Sequence, residues 1–516
     1  MPPAVDAPTS LMARRAGKAT RVLFFIAMFA SVACVTIAAF CVATSLGSRR
    51  WGPVEAEMVF EALRVRRGFP LYFDPSVGAG EYGAPPTRYF VLYTPIWPHV
   101  LAWLGSASLF GLRLGGRLVS SASWAGFFAW LYRSTPQLRR AHTLIACALA
   151  CGGYFLAREA SLAGPDTIAC VIVGVGFVRA ARRGEMDALS AVLLATGPFI
   201  KPSAIGCAVG VCIGHVIVKR WAAWRSLAVM AAVGTAWVVV CVVLSHGMWP
   251  LHMFRATGQT ISLDRLVSEL GARGLFLGLP HLVVIGFAFR GNANIVLRST
   301  LLVTLGYSTF LLAKHGSGSH YFIEPSIACV TAVSMVDCVP GPWQRLARWT
   351  GAAVLTCITA AATFVGFTNE RDASVSRDAL IPALREACPL APGDVAVASD
   401  LTLELDLNGR IVVPLWQTSY LVRRGVFSAE MWANDLRDPH VRCVIIGPEF
   451  LDPVPADISG IVEVSAFCKE LRPEIDRDFV LDRNVMGWLV MKRRERSLAA
   501  AENGTRQVEA LALGLR

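Results

Sequence analysis

Two acids follow the first long apolar run of the chain almost directly. Glu55 and Glu57 lie in "WGPVEAEMVFEALRVRRGFP", a few residues after the run that ends near Leu46. A carboxylate this close to a bilayer surface is partly desolvated, which raises its pKa toward the value that a general base needs. The simpler alternative is a solvated loop acid. Glu61 comes four residues after Glu57, so one helical face can hold both side chains.

Polar residues also mark later breaks between apolar runs. The stretch "REASLAGPDT" carries Arg158 and Asp166, although a Pro-Asp pair is equally typical of a helix start. In "GPFIKPSA", Lys201 lies between two apolar runs. A lone lysine at a membrane boundary usually anchors a helix end in the headgroups. In the topology that the basic clusters predict, Lys201 lies on the outer side, where a lysine departs from the charge rule and is suited to bind an anion.

A further break, "AKHGSGSHYFIEP", combines cations with small residues. Lys314 and His320 could hold a phosphate, with Tyr321 beside them, because glycine lets the backbone approach a ligand closely. Glu324 lies inside the next apolar run, where an acid is costly, and it is therefore a candidate for the substrate cavity. The four stretches together supply a carboxylate that accepts a proton and cations that hold a phosphate. This combination suits sugar transfer from a lipid-linked phosphate donor.

No set of metal ligands accompanies these residues. Asp166 stands alone rather than in an Asp-x-Asp pair, and the fourteen cysteines show no metal spacing. The sequence therefore predicts no certain cofactor. A divalent metal ion is indicated only weakly. The polar C-terminal part contains Cys388, Cys443 and Cys468, two of which could form a disulfide.

The composition places these residues in an α-helical polytopic membrane protein. Of the 516 residues, 54% are hydrophobic and 17% are charged, and the mean hydropathy is +0.51. Soluble proteins carry closer to a quarter charged residues. The net charge of +12 comes from short Arg and Lys clusters between apolar runs, which is the pattern that orients membrane spans. No basic patch with interleaved aromatic residues is present, so we predict no nucleic-acid partner.

The charge pattern predicts the topology. Residues 1–21 form a cytoplasmic N-terminal tail, and the run from Val22 is too long for a signal-peptide core, so we interpret it as a retained anchor. The transmembrane domain covers residues 22–368, with about eleven spans and a range of about 10 to 13. Basic clusters recur after every second run, as cytoplasmic loops should. They are Arg133, Arg139 and Arg140; Arg179, Arg182 and Arg183; Lys219, Arg220 and Arg225; Arg290 and Arg298; Arg345 and Arg348.

The first outer loop covers residues 47–113. Whether its segment 89–109 crosses the membrane decides on which side the next basic cluster lies. The segment is apolar enough to resemble a span, but prolines interrupt it and His99 lies inside it. A crossing here would place the Arg133 cluster outside, against the charge rule. We therefore predict a juxtamembrane piece that rests on the outer face. Arg88 and His99 then lie either at the substrate cavity or simply at the interface.

The same topology places the C-terminal part on the outer side. Residues 369–498 are richer in charge and contain the strand-like stretches "DVAVASD", "RIVVPL" and "VRCVIIG" and the helix-like stretch "FSAEMWANDLRD". They predict a small extracytoplasmic α/β domain. Residues 499–516 show no strong pattern and form a predicted C-terminal tail.

The order of these stretches resembles the integral-membrane GT-C glycosyltransferases, in particular the bacterial relatives of the protein mannosyltransferase and aminoarabinose transferase group. An outward span and the acidic loop are followed by "GAPPTRYFVLYTP", "GGRLVSSAS", "REASLAGPD", "ATGPFIKPSA" and "GSGSHYFIEP". The resemblance covers roughly residues 20–370. It implies that the catalytic acid falls on Glu57 or Glu55, where this chain has Glu-x-Glu instead of the family's adjacent Asp-Glu pair.

The resemblance also implies roles for the later residues. Asp166 would be the acid of the second outer loop, with Arg158 beside it, and Lys201, His320 and Tyr321 would face the lipid phosphate. The implied donor is a polyprenyl-phosphate sugar, typically transferred with inversion at the anomeric carbon.

Three functions therefore stand side by side. The first is a glycosyltransferase of cell-envelope glycan biosynthesis, which acts on a lipid, polysaccharide or protein acceptor at the outer face of the cytoplasmic membrane. The second is a transporter or flippase of a lipid-linked or anionic substrate, although the chain lacks a matched pair of Gly/Pro-broken segments in two halves. The third is a non-catalytic membrane assembly protein whose C-terminal domain binds a partner.

Overall fold

The computed structural model describes residues 7–47, 52–91, 93–152, 154–256, 261–270, 275–314, 319–336, 342–413, 428–447 and 473–494, with positions 418, 422 and 425. The predicted tail 499–516 and the first six residues lie outside this description. The chain forms two compact units. The first consists of Met1–Ser48, Leu114–Val240 and Gln259–Arg371, and the second of Arg49–Arg113, Cys241–Gly258 and Asp372–Arg516.

Helices make up most of the fold, because a backbone in lipid must satisfy its own hydrogen bonds. In chain order they are α1 (Ala7–Gly47), α2 (Pro53–Arg66), α3 (Ile96–Leu104), α4 (Leu109–Arg133), α5 (Gln137–Gly152), α6 (Tyr154–Ser161), α7 (Asp166–Arg183), α8 (Ala188–Ile200), α9 (Gly206–Lys219), α10 (Trp224–Leu244), α11 (Trp249–Ala256), α12 (Leu263–Glu269), α13 (Leu275–Arg290), α14 (Ile295–Leu312), α15 (Ile323–Met335), α16 (Pro342–Ala387), α17 (Leu401–Asn408) and α18 (Ala429–Arg437).

The chain is an integral membrane protein. Among the described residues, four helical segments are long and apolar enough to cross a bilayer: Gly17–Thr44, Gly206–Leu244, Ile295–Leu312 and Trp349–Asn369. Further helices begin in each interval between the basic clusters from Arg133 to Arg348. The helical membrane class is therefore confirmed, and the count of about eleven spans stays a prediction.

Among the described residues of segment 89–109, the helix that lies wholly inside the segment is the short α3. Nine residues extend about 13 Å, which is less than half of the roughly 30 Å that a spanning helix must cover. One face of α3 buries Ile96, Trp97 and Leu101, whereas Trp103 on the other face is 80% exposed. The segment therefore cannot cross the bilayer as a single helix.

A small sheet forms in the C-terminal part. Its strands are β1 (Val395–Ala398), β2 (Val441–Ile446), β3 (Phe479–Val485) and β4 (Trp488–Arg493), in the order β1-β2-β4-β3. The β1–β2 pair is parallel, and the other two pairs are antiparallel. A disulfide joins Cys388 to Cys443 of β2. The predicted strands in "DVAVASD" and "VRCVIIG" are present, as is the predicted helix, now α18.

The predicted strand "RIVVPL" is wrong for its described residues. Arg410–Val413 form no strand, because a buried carboxylate takes the backbone groups that a neighbouring strand would use. Glu404 of α17 accepts hydrogen bonds from the N–H groups of Val412 at 2.8 Å and Val413 at 3.2 Å. The carbonyl of Val412 accepts the N–H of Arg88 at 3.0 Å. A side chain and a distant loop therefore replace a strand partner.

Removing the Glu404 carboxylate should destabilise the protein. The Glu404→Ala change leaves these two N–H groups and that of Ala398, 3.1 Å from the carboxylate, without their acceptor. We expect the free energy of unfolding to fall by about 2 kcal/mol or more. Thermal unfolding of the full chain in detergent measures it, with exposed Glu430→Ala on α18 as the control. Equal melting temperatures for the two variants would contradict the role assigned to Glu404.

Candidate active site

The hairpin of α7 and α8 brings Asp166 and Lys201 together. Asp166 is the first residue of α7, and Lys201 directly follows the last residue of α8. Because the two helices run antiparallel and pack on each other, these residues lie at the same end. Lys201 Nζ forms an ion pair with Asp166 Oδ1, and the two side chains are only 5% and 14% exposed.

The opposite end of the hairpin is held by charge. Asp187 caps α8 by accepting the N–H of Ser190 at 2.9 Å and forms ion pairs with Arg179 and Arg183 of α7. The hydrogen bond from Arg179 makes the largest contribution to holding the pKa of Asp187 well below its usual range. Helices α7 and α8 also pack closely between their ends, since a Cβ on Gly197 of α8 would meet Val173 of α7. The hairpin therefore has little freedom to separate Asp166 from Lys201.

A short 3₁₀ turn, Ser319–Phe322, supplies the next two residues. His320 Nε2 lies 4.0 Å from Asp166 Oδ1, and the Tyr321 carbonyl accepts the hydroxyl of Ser308 at 2.6 Å. The resulting pocket contains about 250 Å³ of space that no protein atom fills, including space that is open to solvent. It is lined by Asp166, Cys170, Lys201, Ser203, Ala204, Tyr307, Leu311, His320, Tyr321 and Glu324.

Glu324 has a structural role in this pocket. Its carboxylate accepts the N–H groups of Gly206 at 3.1 Å and Cys207 at 3.0 Å, which begin α9. A helix N-terminus stabilises a carboxylate, and this explains how an acid is tolerated here. The turn 201–205 connects Lys201 to this helix start, and the Ala204 N–H donates to the Lys201 carbonyl at 2.9 Å. Glu324 thus helps to fix the turn that carries Lys201.

Arg158 and Lys314 lie in the same unit but do not line the pocket. Arg158 of α6 forms an ion pair with Glu159 at 3.6 Å, and α6 packs on the 3₁₀ turn that carries His320. Lys314 follows α14. Burial, and then the positive charge of Lys201, lowers the pKa of Lys314. Their predicted phosphate contacts stay predictions.

The acids of the first loop lie in the second unit, on α2. Glu55 Oε2 accepts the N–H of Gly52 at 3.3 Å, so this acid caps its own helix. Glu57 and Glu61 are only 4% and 1% exposed. Burial raises the pKa of Glu57 to about 8. Burial, and then the charge of Glu57, raises the pKa of Glu61, whereas Arg64 opposes the shift.

Glu57 is the better candidate for a base. Among the residues that the structure describes, none donates a hydrogen bond to Glu57 Oε1 or Glu61 Oε2. A buried carboxylate oxygen without a donor is rare, because desolvation costs free energy that a hydrogen bond normally offsets. Glu55, in contrast, serves as a helix cap. The geometry therefore favours Glu57 over Glu55 as the proton acceptor.

The two other cavity candidates form contacts inside the protein. Arg88 forms a salt bridge with Asp435 of α18. His99 Nδ1 lies 2.6 Å from the carbonyl of Pro95, one turn earlier in the chain. These contacts explain both residues without a substrate, and their role at a cavity stays a prediction.

The structure also shows a buried histidine that the sequence did not single out. His252 of α11 accepts the N–H of Val91 at its Nδ1 (3.0 Å) and donates from Nε2 to the carbonyl of Phe73 (2.8 Å). These bonds need the neutral ring, and burial lowers the pKa of His252 to about 4. Its surrounding sequence, "WPLHMF", contains no signal of this role.

These features define a mainly helical integral membrane protein with a pocket containing a buried acid–lysine pair and, in its second unit, a buried candidate base. The fold is similar to that of ArnT, an aminoarabinose transferase from Cupriavidus metallidurans. The apo structure of ArnT matches with a TM-score of 0.53 and 13% identity, and the structure bound to undecaprenyl phosphate with 0.52 and 14%. Each likeness covers 90% of this chain and 98% of ArnT.

This likeness shows that the chain has the fold of ArnT. No protein-family profile and no curated protein sequence matches it.

Breaking the buried ion pair should cost more than breaking an exposed one. Lys201→Met leaves Asp166 charged and buried, and we expect a loss of about 3 kcal/mol in unfolding free energy. Adding Asp166→Asn should recover part of that loss. Lys219→Met removes an ion pair with Glu185 that is 40% and 39% exposed, and it should change stability little. Thermal unfolding in detergent tests the difference. Similar losses for Lys201→Met and Lys219→Met would refute it.

Proposed function

We propose that this protein is a membrane glycosyltransferase that moves a sugar from a polyprenyl-phosphate donor to a lipid, polysaccharide or protein acceptor. The observation that most directly supports this function is the burial of Glu57, which raises its pKa to about 8 in a chain with the GT-C fold. A base with this pKa is deprotonated near neutral pH often enough to act, yet it binds a proton well. The undecaprenyl phosphate bound to ArnT supports the donor class.

Glu57 acts as the general base in this reaction. The acceptor hydroxyl gives its proton to the Glu57 carboxylate while its oxygen attacks the anomeric carbon. The bond between that carbon and the phosphate oxygen breaks, and the polyprenyl phosphate leaves with the electron pair. A single displacement of this kind inverts the anomeric configuration. Burial of the Glu57 side chain raises its affinity for the proton that it accepts.

The pocket of the first unit binds the phosphate. Lys201 and His320 provide N–H donors and Tyr321 an O–H donor, which stabilise the charge that develops on the leaving phosphate. Asp166 holds Lys201 in place and offsets the cost of burying its charge. Within the described ranges no three His, Cys, Asp or Glu side chains are grouped to hold a metal ion. Lys201, His320 and Tyr321 are the side chains to which we assign the phosphate charge.

The enzyme works at the outer face of the cytoplasmic membrane, with its N-terminus in the cytoplasm. This orientation rests on the basic clusters, which we place in cytoplasmic loops. Residues 47–113 and 369–498 are then extracytoplasmic, and segment 89–109 rests on the membrane surface.

Reporter fusions test the orientation. A fusion at Pro136 should be active only with a cytoplasmic reporter, and a fusion at Leu390 only with an extracytoplasmic one, because the basic cluster around Pro136 is retained inside. Alkaline phosphatase and green fluorescent protein provide the two readouts. An extracytoplasmic Pro136 would overturn the topology.

Replacing Glu57 should abolish sugar transfer. We expect Glu57→Gln to lower activity by about 100-fold or more, because the amide cannot accept the proton. Glu55→Gln is the matched control, since its amide oxygen can still accept the Gly52 N–H. Mass spectrometry of lipids and glycans from a deletion strain first identifies the missing product, and complementation with each variant measures its recovery.

The pH profile gives an independent measurement. Glu57 must be deprotonated to act, so kcat/KM should rise with pH and level off above about pH 8. Activity that is retained in Glu57→Gln would exclude the assigned base. Unchanged glycans with altered lipid export in the deletion strain would indicate the transporter, and no change in either would indicate an assembly protein.

A further inference from the structure

Residues 75–91 of the first loop, here called the clamp segment, contact the C-terminal part of the chain within the second unit. Arg88 donates two N–H groups to the carboxylate of Asp435, at 2.5 Å from Nε and 3.2 Å from Nη2. Arg88 also donates to the carbonyl of Pro75 at 3.1 Å. The Asp435 side chain is only 8% exposed. A bidentate arginine–carboxylate salt bridge that is shielded from water is among the stronger side-chain contacts.

Four more hydrogen bonds join the described residues of the clamp segment to residues 410–412. They are Arg88 N–H to Val412 O (3.0 Å), Thr87 Oγ1 to Ile411 O (3.0 Å), Arg410 Nη1 to Pro85 O (3.2 Å) and Arg410 Nη2 to Ala84 O (3.4 Å). Residues 410–412 are in turn held by the Glu404 carboxylate, as described above. The C-terminal part therefore binds the clamp segment by hydrogen bonds that involve both side chains and backbone.

The clamp segment also contacts α2. The rings of Tyr82 and Tyr89 lie 5.8 and 6.1 Å from the ring of Phe60. Glu81 forms an ion pair with Arg64, the last charged residue of that helix face. The segment thus binds one stripe of α2 by aromatic contact and by charge.

That stripe includes the acids. Residues 57, 60, 61 and 64 follow the spacing i, i+3, i+4 and i+7 and so share one face of α2. The contacts at Phe60 and Arg64 therefore lie directly beside Glu57 and Glu61. A cover at these positions contributes to the burial of both acids, together with α3 and α17, which also pack on α2.

We propose that the C-terminal part of the chain controls the reactivity of Glu57 by clamping residues 75–91 over α2, with Arg88 and Asp435 as positioning residues. This inference rests on the proposed function, because it concerns the same base. The clamp excludes water from the Glu57 carboxylate and fixes its position relative to the acceptor. Loosening the clamp lets water solvate the carboxylate, which makes it a weaker base.

The test uses full-length protein with Arg88→Ala, Asp435→Ala and the double variant. Arg437→Ala is the matched control, because Arg437 lies on the same helix, is 41% exposed and pairs with Glu474 and Asp478 rather than with the clamp segment. Hydrogen–deuterium exchange of peptides covering residues 79–91 measures the clamp, and kcat, KM and the pH profile measure its effect.

We expect faster exchange and a loss in kcat of about tenfold or more for each single variant. The double variant should lose no more than either single one, since both remove the same contact. The acidic limb of the kcat/KM profile should move to lower pH, which a simple loss of folded enzyme would not produce. The other ionisable groups around Glu57 and Glu61 are unchanged in these variants; they are Arg64, Tyr72, Glu81, Tyr82 and Tyr89.

Three outcomes contradict the clamp. They are unchanged exchange in Arg88→Ala, faster exchange with an unchanged kcat and pH profile, and an equal effect of Arg437→Ala. In each case Glu57→Gln decides the proposed function separately, because that variant leaves the clamp contacts in place. An inactive Glu57→Gln beside a fully active Arg88→Ala would reject the clamp and retain the enzyme.

Discussion

The rest of the structure depends on the cost of removing charge from water. A buried ionic group costs several kcal/mol unless it gains a partner or hydrogen bonds. In the part of the chain that the structure describes, Lys201 gains Asp166, Arg64 gains Glu81, and Glu324 gains the N–H groups that begin α9. Each partner joins segments that are distant in sequence. Buried charges therefore act as fixed points that place helix ends and loops.

Glu57 departs from this pattern. Its Oε1 lacks a donor among the described residues although the side chain is buried, and burial raises its pKa to about 8. Burial of this kind lowers stability and is hard to explain by packing alone. It suits a group whose proton affinity matters, since the same desolvation that costs folding free energy raises the pKa into the range of a working base.

The likeness to ArnT shows how much of this architecture survives at low sequence identity. At 13% identity the fold covers nearly the whole of both chains. Helix packing in a membrane needs apolar surfaces and a few close approaches, such as Gly197 against Val173, more than particular residues. The ionic contacts are different. They need a specific residue at each end, which the packing of apolar helix surfaces does not.

The sequence by itself determined what depends on neighbouring residues. Hydropathy established the membrane class and the helices, and local patterns located β1, β2 and α18 and named the acids, Lys201, His320 and Tyr321 as candidates. These signals are local, because apolar runs and helix or strand periodicity arise within a few turns of chain.

Only the tertiary structure decided which partners these residues meet. Arg88 and Asp435 are 347 positions apart, Glu404 took the backbone groups of a predicted strand, and Glu55 became a helix cap while Glu57 stayed without a donor at Oε1. The physical reason is that a buried charge or backbone group is satisfied by whichever partner the packing brings near. That choice depends on the whole fold and leaves no trace in the residues beside it.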